Sequence, residues 1–299
     1  MLQALRVQQV AHPQQLVLIA CARHTSRGPL GSTAMGGRPN GMPYKSVTRI
    51  LLLLSLLGNF VLLCILATTG ISSSDNAFAR PMQQTFLELA TATGTDKVSD
   101  HSYDNAYARY LEPLRHKAIK FFEIGLGCDM QYGPGRSVHL WQKFFTHPRT
   151  EIWEAEVDSA CAGRWNHALK GRVITGDQAN YTDLASWVQI SAGDFDIIID
   201  DGGHNFTQQL NSLMYLFKYA LKPGGMYFME DLLTSINVNY ADAPESPVDK
   251  IAIWTKQLML GDAPNSSSVD IENLQSIDCF LGLCVFHKCP DESLTSHCP

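Results

Sequence analysis

Apolar positions after residue 80 follow two spacings that alternate along the chain. A helical spacing predicts helices over 82–92 and 105–114, before the first short apolar run. Strands are predicted at 120–124, 151–157, 172–175, 195–200 and 225–229. Helices are predicted over 137–145, 161–169, 181–190, 207–220 and 247–259. The final IDCFLGLCVFHK indicates two short strands around a tight turn at Gly282.

This alternation predicts an α/β fold, a doubly wound and mostly parallel sheet with helices on both faces and a C-terminal antiparallel hairpin. Nearly continuous apolar strands such as DFDIIID fit strands that are covered on both sides. In sheets of this kind ligands bind outside the carboxyl ends of the strands. The polar residues that end each predicted strand are therefore the candidates for a functional site.

The first 80 residues differ in composition. Residues 1–49 are basic and lack periodicity, which indicates disorder, whereas residues 50–69 match the length of a membrane-spanning helix. Six Lys and Arg residues precede this run and Arg80 follows it, which predicts a signal anchor with a cytosolic N-terminus and a catalytic domain in the endoplasmic reticulum or Golgi lumen. Secretion after cleavage near residues 77–79 is the alternative, and a buried core helix is a weaker one. Met42 as the true start stays open.

Beyond this run we expect a linker at 70–81, a helical lead-in at 82–118, the catalytic domain at 119–288 and a cysteine-containing tail at 289–299. The placement in the lumen fits two further signals, although the pairing of the cysteines stays open. Three sequons begin at Asn180, Asn205 and Asn265. Six of the eight cysteines follow the apolar run: Cys128, Cys161, Cys279, Cys284, Cys289 and Cys298. The net charge of −6 argues against a nucleic-acid partner.

Three strand ends carry residues suited to a nucleoside-like ligand. Gly125 and Gly127 after the first strand allow close approach of a ligand, and Glu123 before them suits a cationic group, although a simple chain-reversing turn explains the glycines equally well. Glu156 at the second strand end is placed to accept ribose hydroxyls, unless it is a solvated strand end. Asp177 and Gln178 after the third strand suit an adenine edge, with an Asx turn as the alternative.

Two further strand ends carry paired acids. Asp200 and Asp201 end one strand, and Glu230 and Asp231 end the next. Converging carboxylates repel each other unless a cation lies among them, and oxygen ligands suit Mg²⁺. His204 follows three residues after Asp201, and histidine accepts protons near neutral pH, which makes it a candidate general base. Helix capping by one or two of these acids is the alternative.

The order of EIGLG, GDQ, DFDIIIDDGGH and KPGGMYFMEDL resembles class I S-adenosylmethionine-dependent methyltransferases. Over 94–235 the chain is most similar to the macrocin O-methyltransferase type, which methylates sugar hydroxyls with Mg²⁺. The resemblance implies a Rossmann-like fold, a Gly94-Thr95-Asp96-Lys97 segment with His101 and Tyr103 that helps close the site, and His204 as the base. It implies a metal held by Asp201, Glu230 and Asp231. It implies a cofactor site formed by Glu123, Gly125, Gly127, Ser137, Glu156, Asp177, Gln178 and Asp200.

We therefore expect an S-adenosylmethionine- and Mg²⁺-dependent O-methyltransferase for a hydroxyl of a sugar, polyol or glycosylated natural product. A same-fold enzyme of hydroxylase type and a membrane-anchored, non-catalytic binding protein are the alternatives. The substrate, the oligomeric state and the use of the sequons stay open. Asn205 conflicts with the lumenal placement, because a glycan there would crowd the proposed base.

Overall fold

The computed structural model describes residues 83–261 and 270–290. The helices are α1 (Phe86–Thr93), α2 (Asp96–Ser99), α3 (Asp104–Leu111), α4 (Arg136–Phe144), α5 (Ser159–Trp165), α6 (Tyr181–Ser191), α7 (Phe206–Tyr219) and α8 (Pro247–Leu260). Short 3₁₀ helices lie at Glu112–Leu114, Leu232–Ile236 and Val238–Tyr240. The strands are β1 (Lys120–Ile124), β2 (Glu151–Glu156), β3 (Val173–Thr175), β4 (Phe195–Asp200), β5 (Leu221–Met229), β6 (Leu274–Phe280) and β7 (Leu283–Lys288).

These strands form one seven-stranded sheet in the order β3-β2-β1-β4-β5-β7-β6. Strands β1 to β5 are parallel, and β7 pairs antiparallel with both β5 and β6. The prediction of a mostly parallel α/β sheet with a C-terminal antiparallel hairpin is confirmed. The strand order reverses between β1 and β4, so the carboxyl ends of these two strands open a crevice for a ligand.

Apolar side chains cover both faces of the sheet. One layer, which contains Trp187 and Trp254, packs α6, α7 and α8 against the strands. The other contains Trp141 and Tyr107 and packs α1, α3 and α4 against the opposite face. Three isoleucines of β4 (Ile197, Ile198 and Ile199) are fully buried between these layers, which explains why the strand carries no polar residue there.

Among the predicted boundaries that differ from the structure, two have a clear local cause. Strand β5 begins at Leu221 rather than at residue 225, because the Lys222-Pro223-Gly224 stretch predicted as a turn is absorbed in a register shift against β4. Helix α5 begins at Ser159, because the side chain of Asp158 accepts hydrogen bonds from Ala160 and Cys161 and caps it. Asp158 is thus a helix cap.

The predicted membrane helix at 50–69 lies outside the described residues, as do the linker at 70–81 and the tail residues 291–299. Within 83–261 and 270–290, no helix has both the length and the apolar character needed to cross a bilayer.

Candidate active site

A cavity of about 800 Å³ opens at the carboxyl ends of the parallel strands. Its walls are the loops after β1, β2 and β3 on one side and the loops after β4 and β5 on the other. Residues of the lead-in segment, among them Thr95, Asp96 and His101, form a third wall. The predicted strand-end residues therefore surround one crevice at the switch point of the sheet.

Two glycines allow the loops at the crevice to approach each other. Gly125 has a φ of 103°, and a Cβ there would lie 1.9 Å from the backbone oxygen of Asp201. A Cβ on Gly202 would lie 2.1 Å from Oε1 of Gln178. A side chain at either position would displace backbone or a buried amide. Glycine at position 125 thus lets the loops after β1 and β4 touch, and glycine at position 202 lets the loop after β4 pack against Gln178.

Glu156 is buried at the end of β2 and lines the cavity. Its Oε2 accepts a hydrogen bond from the Leu126 amide at 3.2 Å, and its Oε1 accepts one from the Asp158 amide at 2.9 Å. These bonds fix the carboxylate and join the loops after β1 and β2. Each oxygen can accept a second hydrogen bond, so Glu156 can still bind a hydroxyl group in the cavity.

Asp177 and Gln178 differ in their surroundings. Asp177 is exposed at the cavity, where its side chain accepts a hydrogen bond from the Ala179 amide. Gln178 is buried, and its amide donates to Asp200 Oδ1 at 2.8 Å while its carbonyl accepts from Gly203 at 2.7 Å. Both ends of the Gln178 side chain are thus used to hold the loop after β4.

Asp200, the last residue of β4, points away from the cavity into the fold. Its carboxylate accepts hydrogen bonds from the Ser212 hydroxyl at 2.5 Å, the Tyr227 hydroxyl at 2.7 Å and the Gln178 amide. Burial raises the pKa of Asp200, and these three neutral donors partly offset the rise. Asp200 therefore contributes to the packing beneath the site.

Asp201, His204 and Asp231 face the cavity together. One donor atom from each lies within 4.8 Å of the other two. His204 Nε2 is 3.3 Å from Asp231 Oδ2, and His101 Nε2 is 3.4 Å from Asp231 Oδ1. The hydroxyl of Tyr103 donates to Asp231 Oδ1 at 2.9 Å. Two carboxylates and an imidazole at this spacing suit a small divalent cation.

The backbone at Asp231 is unusual, with a φ of 54° and a ψ of 34°. A non-glycine residue in this left-handed region is strained, and such strain persists only where neighbouring groups hold it. The Tyr103 hydroxyl accepts a hydrogen bond from the Asp231 amide at 3.1 Å, and Leu232 donates to Gly282 in the β6–β7 turn at 2.9 Å. These contacts turn the Asp231 side chain toward the cavity.

Beneath the cavity lies a buried cluster of three acids around one lysine. Lys97 Nζ lies 2.6 Å from Asp201 Oδ2, 2.8 Å from Glu230 Oε1 and 3.3 Å from Glu123 Oε1. Burial lowers the pKa of Lys97, but the surrounding acids together raise it by more. The pKa of Lys97 therefore lies well above its usual value. The hydroxyl of Tyr107 also donates to Glu230. Sequence reasoning missed this arrangement and noted Lys97 only as part of the Gly94–Lys97 segment.

Glu154, in the middle of β2, is a further buried acid that sequence reasoning missed. It is fully buried beside Glu123, and neither of its oxygens accepts a hydrogen bond among the described residues. Burial raises the pKa of Glu154 well above its usual value, and the charge of Glu123 adds to the rise. The EIWEAE pattern offered a signal. Side chains of a strand alternate between its two faces, and because both faces of this sheet are covered, an acid in the middle of the strand is buried on either face.

The structure brings most predicted site residues to one cavity, although three lie below it. Glu123, Asp200 and Glu230 do not line the cavity; Glu123 instead accepts a hydrogen bond from Trp141 at 2.9 Å. Residues at the cavity are Gly125, Gly127, Ser137, Glu156, Asp177, Gln178, Asp201, His204 and Asp231. Further cavity residues that the sequence did not point to include Gln208, Thr234 and Tyr240.

Two disulfides lie within the described residues. Cys128–Cys161 joins the loop after β1 to helix α5, and Cys279–Cys284 crosses the turn between β6 and β7. The pairing that the sequence left open for Cys128 and Cys161 is thus a disulfide between the two. Cys128 itself lines the cavity, so the first disulfide braces the wall that carries Gly127.

Two of the three sequons begin at helix N-caps. Asn180 accepts a hydrogen bond from Thr182 at 2.8 Å and caps α6. Asn205 caps α7 in a capping box with Gln208 and lines the cavity. A glycan on Asn205 would compete with this cap and enter the cavity. Asn265 lies outside the described residues.

Comparison with solved structures identifies the fold class of the chain. The chain matches the MycE methyltransferase of mycinamycin biosynthesis, solved in complex with Mg and SAH, with a TM-score of 0.57 and 25% identity. The match covers 70% of this chain and 55% of that chain. A second MycE structure with Mg, SAH and mycinamycin VI gives a TM-score of 0.58 at 22% identity and covers 71% and 56% of the two chains. The chain has the fold of a class I S-adenosylmethionine-dependent methyltransferase.

Sequence comparison finds curated relatives among sugar O-methyltransferases. The chain is 35% identical over 150 residues to the 8-demethyl-8-alpha-L-rhamnosyl tetracenomycin-C 2'-O-methyltransferase of Streptomyces olivaceus, covering 49% of this chain and 37% of the relative. It is 30% identical over 189 residues to the demethylmacrocin O-methyltransferase of Streptomyces fradiae, covering 56% and 45%. No family model matches the chain. The predicted resemblance is confirmed, although the chain spans less than half the length of these curated relatives.

The prediction of a single-pass membrane protein with a lumenal catalytic domain is wrong. The relatives are biosynthetic enzymes of bacteria, which have no endoplasmic reticulum or Golgi. Apolarity and flanking charge over 50–69 were the basis for the prediction, and both residues 50–69 and the cleavage site considered at 77–79 lie outside the described residues.

Proposed function

We propose that this chain is an S-adenosylmethionine-dependent O-methyltransferase that acts on a hydroxyl of a glycosylated natural product or related sugar. The observation that carries the proposal is the convergence of Asp201, His204 and Asp231 opposite the glycine loop and Glu156 in one cavity. The names of the curated relatives support the reaction class and the sugar acceptor.

The cavity has the features that S-adenosylmethionine requires. Its volume of about 800 Å³ falls in the range of cofactor sites. The backbone at Gly125 and Gly127 would lie along the methionine part, with Ser137 nearby, and the fixed carboxylate of Glu156 would accept hydrogen bonds from the ribose. Asp177 Oδ1 accepts a hydrogen bond from the Ala179 amide, and its second carboxylate oxygen would face the adenine. Glu123, Gln178 and Asp200 would support this site from below, because their polar atoms are engaged within the fold.

The outward acids fit Mg²⁺. Asp201 and Asp231 supply hard oxygen ligands at the cavity wall, and Mg²⁺ commonly binds through one or two carboxylates while it keeps waters for the substrate to displace. Glu230, the third predicted ligand, is held by Lys97 and Tyr107 and has only 2% of its side chain exposed. When bound, the metal would orient acceptor oxygens and acidify one of them.

The reaction would transfer the methyl group of S-adenosylmethionine to an acceptor hydroxyl oxygen. A carbon–oxygen bond forms as the carbon–sulfur bond breaks, and the products are the methyl ether and S-adenosylhomocysteine. His204 would accept the hydroxyl proton at Nε2, because its Nδ1 is buried, and the Asp231 carboxylate 3.3 Å from Nε2 would stabilise the protonated imidazole. Orientation of the two reactants contributes up to about 7–11 kcal/mol, and a general base contributes roughly 10²–10⁴-fold.

The test is a transfer assay with S-adenosylmethionine and rhamnosylated or other deoxysugar-bearing acceptors, alongside calorimetry of cofactor binding. We expect His204→Ala to bind the cofactor as the unaltered chain does and to lose roughly 10²–10⁴-fold in turnover. His139→Ala is the matched control, because His139 is exposed on α4 and packs only near Trp165. Full turnover by His204→Ala would remove His204 from the role of base.

Two further outcomes would contradict other parts of the proposal. Absence of any cofactor binding to the unaltered chain would reject a methyltransferase. Full turnover in excess chelator, for the unaltered chain and for Asp201→Ala alike, would reject the metal while leaving the transfer reaction standing.

A further inference from the structure

Arg136 lines the cavity from the first position of α4. Among the described residues that form the cavity walls, it is the one lysine or arginine. Acids, by contrast, line each of the walls, among them Asp96, Asp158 and Asp231. A ligand group with a negative charge is therefore repelled over most of the cavity and attracted at Arg136.

Two backbone carbonyls hold the guanidinium of Arg136 between the lead-in segment and the loop after β1. Its Nη1 donates to the Thr93 oxygen at 3.1 Å, and its Nη2 donates to the Tyr132 oxygen at 3.4 Å. The Arg136 Cζ also lies 5.7 Å from the centroid of the Tyr132 ring. Glycine at position 94 leaves room for this placement, because a Cβ there would lie 3.0 Å from Nη1. The side chain is thus held before a ligand arrives, which reduces the entropy that binding must remove.

These two bonds leave both the charge and several donors of Arg136 available. A guanidinium carries more N–H groups than the two that the carbonyls of Thr93 and Tyr132 accept. Both acceptors are neutral, and within the described part of the chain no carboxylate forms an ion pair with Arg136. A planar guanidinium with free N–H groups suits a carboxylate, which it can bind through two parallel hydrogen bonds.

Arg136 lies at the end of the cavity where the proposed function places the methionine part of the cofactor. Ser137 follows it directly, and Gly127 belongs to the same loop after β1. The methionine part of S-adenosylmethionine carries an ammonium group, a sulfonium group and a carboxylate. The acids of the cavity suit the two cationic groups, whereas the carboxylate needs a cationic partner, which Arg136 offers.

We propose that Arg136 binds the carboxylate of S-adenosylmethionine and thereby selects cofactors with an intact amino-acid end. This inference rests on the proposed function for the identity of the cofactor. It adds a specificity-determining residue on the wall opposite His204, and it concerns the binding of the cofactor rather than the transfer step.

The assignment is tested by calorimetry without an acceptor, using S-adenosylmethionine and its decarboxylated analogue. The analogue lacks only the carboxylate and keeps both cationic groups. We expect Arg136→Gln to weaken the binding of S-adenosylmethionine roughly tenfold and to leave the Kd of the analogue within about twofold of the unaltered chain. Lys143→Gln is the matched control, because Lys143 is an exposed cation on the same helix but does not line the cavity. It should change neither Kd.

The two ligands separate recognition of the carboxylate from a structural role of Arg136. Equal weakening of both ligands by Arg136→Gln would overturn the proposal, because it would show that Arg136 only fastens Thr93 to Tyr132. Unchanged binding of both ligands would overturn it as well. Retained binding of the analogue also shows that the variant is folded. If the unaltered chain binds neither ligand, the proposed function fails and this inference fails with it, whereas binding by the unaltered chain without the expected contrast rejects the role of Arg136 alone.

Discussion

The ends of β4 and β5 each carry two consecutive acids, the first turned into the fold and the second facing the cavity. The two inward acids, Asp200 and Glu230, have different hydrogen-bond partners. Asp200 is surrounded by three neutral donors, Ser212, Tyr227 and Gln178. Glu230 instead pairs with Lys97, which also holds Asp201 and Glu123. A carboxylate with neutral donors is satisfied locally. A carboxylate that shares a cation with neighbouring acids is electrostatically coupled to them. Glu230 is therefore coupled through Lys97 to Asp201 at the cavity, whereas Asp200 has no contact with Lys97 among the described residues.

The largest expected effect is a loss of turnover on changing Asp231, the outward acid of β5, compared with a loss of stability on changing Asp200, the inward acid of β4. Asp231→Asn should lower turnover by about 10²-fold or more, because it removes the group that holds His204 and faces the metal, with little change in stability. Asp200→Asn should instead lower the free energy of unfolding by about 1–3 kcal/mol, because an amide nitrogen in place of Oδ2 cannot accept the hydrogen bonds of Ser212 and Tyr227. Transfer kinetics and urea unfolding of both variants measure the contrast. A large stability loss in Asp231→Asn with turnover intact would reverse it.

A smaller effect concerns Glu154, a buried acid whose protonated form can donate a hydrogen bond to Glu123 and whose oxygens accept none among the described residues. Its pKa in the folded chain lies well above the usual 4.5, because burial and Glu123 disfavour the charge. The stability that its protonated form contributes is fully present below about pH 4.5 and is lost as the pH rises through the folded pKa. Glu154→Gln mimics the protonated form, so it should unfold like the unaltered chain at pH 4 and become more stable than it, by about 1–3 kcal/mol, at pH 8.

Thermal unfolding across this pH range measures the Glu154 effect. Glu151→Gln is the matched control, because Glu151 lies in the same strand with 42% of its side chain exposed. Its difference from the unaltered chain should not grow with pH in the same way. A constant difference for Glu154→Gln would mean that the fold does not raise the pKa of Glu154.

The smallest effect tests the opposite wall of the cavity, which has no paired acids and is braced by Cys128–Cys161. Replacing both cysteines by serine should weaken S-adenosylmethionine binding by roughly threefold to tenfold, because the loop after β1 regains freedom that binding must then remove. Cys279→Ser with Cys284→Ser is the matched control, since that disulfide lies at the β6–β7 turn. Calorimetry of cofactor binding decides, and equal weakening in the two double variants would refute a specific brace.

Local sequence pattern was sufficient for the elements and for the outward residues of the site. The alternation of apolar strands with amphipathic helices predicted the parallel sheet, and the carboxyl-end rule then placed Gly125, Glu156, Asp201 and His204 at one crevice. These predictions succeeded because strand direction and side-chain alternation are properties of short segments. The stretch over 50–69 was also interpreted by its local pattern, and the cellular placement built on it is wrong because composition alone does not fix topology.

The sequence by itself thus determined which acids end which strands, and the tertiary structure decided which of them face a ligand. In Asp200-Asp201 and Glu230-Asp231 the two members look alike in the sequence, yet one of each pair is turned into the fold. Lys97 lies 104 residues from Asp201 and 133 from Glu230, and Tyr107 lies 123 from Glu230. Partners at such separations are set by the docking of the lead-in segment on the sheet, where burying a charge requires a countercharge at one particular point.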